Sequence, residues 1–378
     1  MGTPPGIVAA PMKTAAPRLL SIDALRGFDM FWIIGGHEVV KTLAEWGDWR
    51  YKGQIEEQLT HVPWVGFRFY DLIFPLFLFV VGAVLPFSLA AIREKGESSF
   101  RIYWRIARRT ALLFGLGLLF NQVLQFNFAE LRIAGVLQRI AICYGAAAVL
   151  VTLVGWRGQA AIAVAILVGY WALLAFVPVP GGTAGDYTKE GNLAGHVDRH
   201  YLPGKIYEAY YGYGDNEGLL STMPAVVTAL LGALAGQWLR SAQSPGRKVL
   251  GLLIAGGVCL AAGLAWGQVF PIIKILWTSS FVLVAGGWSL LLLALFYGVI
   301  DVLGLRWWAF FFVVIGCNAI LIYVAPKFIN FEHTARFLFG GLIKLSGTFE
   351  PVAKAISILA VKWLLLWVLY RKKMFLRV

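Results

Sequence analysis

The sequence predicts an all-α protein, a polytopic transmembrane helical bundle of about ten spans with both termini cytoplasmic. Three observations carry this. The 378-residue chain is 59% hydrophobic and only 14% charged, where a soluble domain carries roughly 25% charged residues. Apolar runs of about 20 residues, the length a bilayer demands, recur along the whole chain. Lysine and arginine gather in the short connections between alternate runs. Residues 1–17, rich in Pro and Ala, are expected to form a disordered tail. Residues 18–378 are expected to form one transmembrane domain, because no Pro/Ser linker or charge block divides them.

In chain order the spans are predicted at 26–44, 66–91, 104–124, 133–154, 159–177, 219–239, 249–269, 276–299, 307–326 and 352–370. The first is expected to remain as an uncleaved anchor. The run 335–347 is apolar but short and Gly-rich, which suits a re-entrant or interfacial helix. With the N-terminus inside, Lys13, Arg18 and Arg26 fall on the inner face. So do Arg93, Lys95, Arg101, Arg105, Arg108, Arg109, Arg157, Arg240, Arg247, Lys248, Arg306, Arg371, Lys372, Lys373 and Arg377. The formal net charge of +13 therefore sets orientation, and no nucleic-acid partner is inferred. Cys143, Cys259 and Cys317 lie inside apolar runs and read as small core residues, not as a disulfide framework or metal site.

The longest outside connection, 178–218, is rich in tyrosine and in charges of both signs. Such a loop could stack on sugar rings or form an interfacial aromatic belt.

Ionisable groups within spans cost about 2.5–3.5 kcal/mol each on insertion scales, so each raises a functional question. Asp71 lies in the second span, Arg132, Gln138 and Arg139 open the fourth, Glu217 precedes the sixth, Lys274 opens the eighth and Asn318 lies in the ninth. Singly, these residues could snorkel, pair or bridge helices. Their shared depth, near the outer ends of the helices where His61 also falls, predicts a polar cavity opening outward. His61, beside Pro63 and Trp64, can exchange a proton near neutral pH. His37 ends the first span at similar depth. Lys362 sits mid-span without an assignable partner. Arg68 is given only a headgroup-anchoring role. His196 and His200 have the i, i+4 spacing of a helical zinc pair, but the segment reads as a loop with no third ligand, and no metal site is predicted.

The blocks RLLSIDALRG (18–27), HVPWVGFRFYDLIFPLFLFVVG (61–82), LRIAGVLQRIAICY (131–144), DNEGLLSTMPAVVTALLGALAG (215–236), IIKILWTSSFVL (272–283) and GCNAILIYV (316–324) occur in order. From about residue 18 to 370 the chain resembles the transmembrane acyltransferases of the heparan-α-glucosaminide N-acetyltransferase family. RxxSxDxxRG alone is shared with other membrane acyltransferases; the histidine–tryptophan and LQR blocks are specific. The animal member of this family moves acetyl from cytosolic acetyl-CoA to a terminal glucosamine amine on the lumenal side. The resemblance implies that His61 is the active histidine and Asp71 the family's aspartate. His37 falls where the animal enzyme is expected to carry an asparagine, and the segment from His37 to His61 is longer. The animal enzyme's lumenal N-terminal domain and additional first span are expected to be missing.

The resulting expectation is an acetyltransferase of a bacterial inner membrane, using acetyl-CoA as co-substrate and no metal. Its acceptor is an amino sugar, its surroundings membrane lipid, and a homodimer is compatible. The catalytic set is His61, Asp71, His37 and Asn318. Lys274, Arg132, Gln138, Arg139, Trp64 and Glu217 are expected around the substrates. Arg105, Arg108 and Arg109 would hold the CoA phosphates, unless they only fix topology. His61 would act as a general base or as the acyl-accepting nucleophile. Sugar O-acetylation, or transport of a sugar or ionic substrate, are the alternatives.

Overall fold

The computed structural model describes residues 19–207 and 212–376. The predicted tail 1–17, together with Arg18 and Arg377, lies outside the described residues. Fifteen α-helices follow in order. They are α1 (Leu20–Phe31), α2 (His37–Trp46), α3 (Lys52–Gln58), α4 (Phe69–Glu94), α5 (Ser99–Phe120), α6 (Val136–Leu153), α7 (Trp156–Phe176) and α8 (Leu193–Tyr201). They continue with α9 (Leu219–Arg240), α10 (Pro245–Trp266), α11 (Ser279–Phe296), α12 (Ala309–Cys317), α13 (Ala319–Val324), α14 (Phe331–Leu345) and α15 (Glu350–Arg371). No strand occurs among the described residues, only two isolated bridges.

Seven helices are long and apolar enough to cross a bilayer: α4, α6, α7, α9, α10, α11 with its continuation to Val302, and α15 with the turn before it. The pair α12–α13, bent by 73°, makes an eighth if counted as one span. These helices support an integral multi-pass membrane protein. The predicted spans 26–44 and 104–124 do not reach this standard of length and composition. The first is split by a π turn at Trp32–Gly36, where Gly35 adopts φ 135°. The second, α5, carries Arg101, Arg105, Arg108 and Arg109 in its first half. The predicted span 307–326 breaks at Asn318. The apolar run 335–347 falls largely within α14, which packs on α15 and leaves Phe337 and Leu345 exposed.

The bundle is organised around α4, whose apolar residues are buried nearly all round. A helix apolar on every side belongs inside a bundle. It packs against α9 through glycine: a Cβ on Gly82 would come within 1.8 Å of the Ala229 carbonyl oxygen, and one on Gly232 within 1.9 Å of that of Phe79. Backbones in contact through small residues are how helices associate without a hydrophobic drive between them.

Lys362, whose partner the sequence does not indicate, donates to the Ile34 carbonyl at 2.7 Å. The π turn frees that carbonyl from regular helical pairing, so the kink and the mid-span lysine answer each other.

Replacing Gly232 with valine forces α4 and α9 apart. Overpacking of this kind costs about 1–3 kcal/mol or more, and a lowered melting temperature of the detergent-solubilised protein measures it. Valine at the open Gly257 of α10, where an added Cβ would meet no atom beyond its own stretch of helix within 4 Å, leaves the melt nearly unchanged.

Candidate active site

His61 precedes α4 and Asp71 lies in its first turn. The His61 Nδ1 is 2.7 Å from Asp71 Oδ1. A carboxylate accepts only, so Nδ1 carries the proton and Nε2 holds the basic lone pair. Lys274 Nζ lies 3.3 Å from the same Asp71 oxygen, and 3.0 and 3.4 Å from the two ring nitrogens of His61. The Asp71 side chain is fully buried, Lys274 is 16% exposed and His61 31% exposed. Base, orienting carboxylate and cation therefore share one corner, with only the imidazole well open.

The corner is wired from several directions. Asp71 Oδ2 accepts from the backbone N–H groups of Val62 and Arg68. Arg68 is the N-cap of α4, whose start a carboxylate in the first turn suits, and Val62 lies in the segment leading to it. Arg68, given only a headgroup role from sequence, donates to the His61 carbonyl and Thr60 hydroxyl at 3.1 Å and to Glu57 at 2.8 Å. It clamps the segment that carries the histidine. Gln58 Oε1 accepts from the Phe69 N–H. The Gly66 N–H donates to the Ile272 carbonyl, which joins the histidine segment to the lysine segment. That second segment is fixed by Thr278, whose hydroxyl accepts from the Ile273 and Phe281 N–H groups, and by Ser280, which donates to the Phe270 carbonyl.

Other expected residues gather behind this corner. The Arg139 guanidinium lies 5.0 Å from the centre of the Trp277 ring and donates to Ser221 and the Gly218 carbonyl. Its Nε and Nη1, and Gln138 Nε2, are buried without a protein partner. Arg132 forms a fork on Asp215 at 2.9 and 2.5 Å, also bonds Glu217, and stacks over Tyr207 at 4.6 Å. This anionic pair holds Arg132 protonated by pushing its pKa up. Asp198, buried beneath the same turn, accepts from the Asp215 and Leu219 N–H groups, and burial pushes its carboxyl up to about 6. His37 and His61 flank Tyr70, with ring centroids at 5.4 and 5.0 Å from it. Trp64 turns to the long loop, its indole N–H donating to the Tyr187 carbonyl at 2.8 Å.

Some expectations do not gather here. Asn318 is held far along the fold, donating to the Met374 carbonyl and accepting from the Leu376 N–H. Its polarity is used to fasten the segment after α15 at the α12–α13 break. Arg105 pairs with Glu97, Arg108 is exposed, and Arg109 stacks over Tyr144. Arg109 and Arg26 line a chamber of about 530 Å³ at the opposite end of α4, with Phe77, Val81, Val84 and Ser88. His61 is not among its lining residues. His196 and His200 lie on a helix, α8, and not in a loop, with rings 4.1 Å apart. Asn192 caps that helix by accepting from the Gly195 N–H, a start signal visible in the sequence. No group of three metal-binding side chains occurs among the described residues.

Sequence reasoning passed over Tyr70, Asp215, Trp277 and Asp29. Asp29 is the plainest omission: a carboxylate in the apolar run FDMFWII, fully buried, with neither oxygen bonded to another residue.

Burial lowers the His61 pKa from its ordinary 6.5; the Asp71 bond opposes this and the Lys274 charge adds to it. Burial brings Lys274 down to about 8 against the pull of Asp71. Replacing Lys274 with methionine removes a neighbouring cation and moves the His61 titration to higher pH. Replacing Asp71 with asparagine moves it lower. Imidazole resonances followed by NMR read both shifts.

The family model described as heparan-alpha-glucosaminide N-acetyltransferase, catalytic, matches residues 18–180. Heparan-alpha-glucosaminide N-acetyltransferase of Homo sapiens is 29% identical over 426 residues, covering 97% of this chain and 61% of the relative. The Mus musculus protein of the same name is 27% identical over 423 residues, with the same two coverages. The chain thus spans 61% of the length of these curated relatives. The matched residues 18–180 and the likeness along 97% of the chain support the heparan-alpha-glucosaminide N-acetyltransferase family for this protein.

Proposed function

We propose that this chain is a membrane acetyltransferase that moves acetyl from acetyl-CoA to the amine of a glucosamine-type sugar. The donor enters from the cytoplasmic face and the acceptor from the outer face. The observation that carries this reading is the His61–Asp71 pair at 2.7 Å with Lys274 against both. A base whose far nitrogen is fixed by a carboxylate is the arrangement that general base catalysis requires. The names of the relatives supply the reaction class.

The sugar amine loses its ammonium proton on entry. Its lone pair attacks the thioester carbonyl carbon while His61 Nε2 takes an N–H proton. The C–S bond then breaks, and the imidazolium returns that proton to the departing sulfur. Asp71 stabilises the imidazolium in between. Lys274 supplies positive charge beside the oxyanion that forms at the carbonyl. The arginines of the opposite chamber, Arg26 and Arg109, suit the phosphates of the donor. The cytoplasmic side of a bacterial inner membrane is inferred for them from the basic connections at that end.

Purified protein given acetyl-CoA and glucosamine tests the reading through free thiol and N-acetylglucosamine release. His61→Ala lowers kcat/KM by about 10²–10⁴, and Asp71→Asn lowers it less. The base works unprotonated, so activity rises with pH through a midpoint below 6.5 and falls again near pH 8, as Lys274 loses its charge. Absence of acetyl transfer in the wild type, or an unaltered rate in His61→Ala, refutes the proposal.

A further inference from the structure

Asp29 has a use that the acetyl-transfer chemistry leaves unassigned. On α1, Ile22, Arg26 and Asp29 share one face at i, i+4, i+7 spacing, and the first two line the chamber opposite His61. On α4, which packs against α1, Tyr70, Phe74, Phe77, Val81 and Val84 share a face by the same rule. The last three line that chamber, and Tyr70 lies against His61. Asp29 is within electrostatic reach of Tyr70. A passage from chamber to imidazole between these two faces would bring a donor past the Asp29 carboxyl, which lies about 4.5 Å along the axis beyond Arg26. From Val84 to Tyr70 this α4 face runs about 21 Å, and between them it is phenylalanine and valine.

A fully buried carboxyl with no bond from another residue is costly unless something else satisfies it. A donor molecule threading this route has the complementary difficulty: an arm with amide N–H groups finds almost no acceptor among those apolar walls. We infer that Asp29 is the binding residue for an amide N–H of the acyl donor's arm, so that the site takes thioesters of amide-bearing thiols. This rests on the acetyl-CoA reading above and deepens it. In either protonation state the side chain keeps an accepting oxygen. An ammonium acceptor, by contrast, arrives from the other end and meets His61 and Tyr70 first.

The test uses the full chain in detergent and two variants. Asp29→Leu removes the acceptor and keeps the volume; Asp29→Asn keeps an accepting oxygen. Loss of an unsatisfied buried carboxyl leaves the Leu variant's melting temperature at or above that of the wild type, so weakened binding in it does not reflect unfolding. Coenzyme A affinity by calorimetry falls about tenfold or more in Asp29→Leu and much less in Asp29→Asn. In turnover, the wild type prefers S-acetyl-N-acetylcysteamine, which has one amide, over ethyl thioacetate, which has none. Asp29→Leu loses that preference with little change in the KM for glucosamine. Equal coenzyme A affinity in wild type and Asp29→Leu overturns the inference, and so does a rise confined to the glucosamine KM. Sensitivity of coenzyme A binding to Asp29 without any acetyl transfer refutes the acetyl-transfer reading while leaving the arm site standing.

Discussion

One carboxylate holds the His61 corner together. Asp71 is fully buried at the first turn of the most enclosed helix in the bundle, and it accepts from the His61 ring, two backbone N–H groups and the Lys274 ammonium. Each of these acceptances would be worth little in water. Inside a protein the same contacts are stronger, and losing one is costly. The positive end of the α4 dipole favours the ionised form at that position. Helix start, His61 ring and distant lysine are thus tied through a single side chain. The geometry of the base cannot be changed without disturbing the entry of the chain into the membrane.

His61 and Asp71 were legible as members of one corner, though not as a bonded pair, because they lie ten residues apart in one block with a proline and a helix start between them. Lys274 was legible as a charge beside an apolar run, but not as a ligand of the pair. Its approach depends on the Gly66–Ile272 bond, and pairing between segments so distant in sequence leaves no local signature. Arg68 looked like an anchor for headgroups because its partners, Glu57, Thr60 and the His61 carbonyl, lie in a segment with no regular pattern. Asn318 bonds elsewhere for a different reason. A polar residue in an apolar run marks a need for hydrogen bonds, and here the need is a helix break. Asp29 was not legible as a site residue because nothing in FDMFWII marks what its carboxyl faces.

The bundle itself followed from composition, since long apolar runs have few alternatives in lipid. Its irregularities did not. The π turn at Trp32–Gly36 and the bend at Asn318 coincide with hydrogen bonds from α15 or the segment after it, the Lys362 side chain at one and the Met374–Leu376 backbone at the other. Hydropathy records neither, because it averages over the few residues that matter.

Trp277 has φ 52°, a left-handed backbone that a bulky residue adopts at a cost. It is tolerated because its indole is gripped on every side: the N–H by Thr228 of α9, one face by Arg139 of α6, the edges by Phe74 of α4 and Phe281 of α11. Four helices are thereby riveted at one point, directly behind the lysine. That half of the molecule acts as an anvil. The side built from α1, α2 and α15 is held differently, by the Lys362 bond at a kinked turn that interrupts regular pairing.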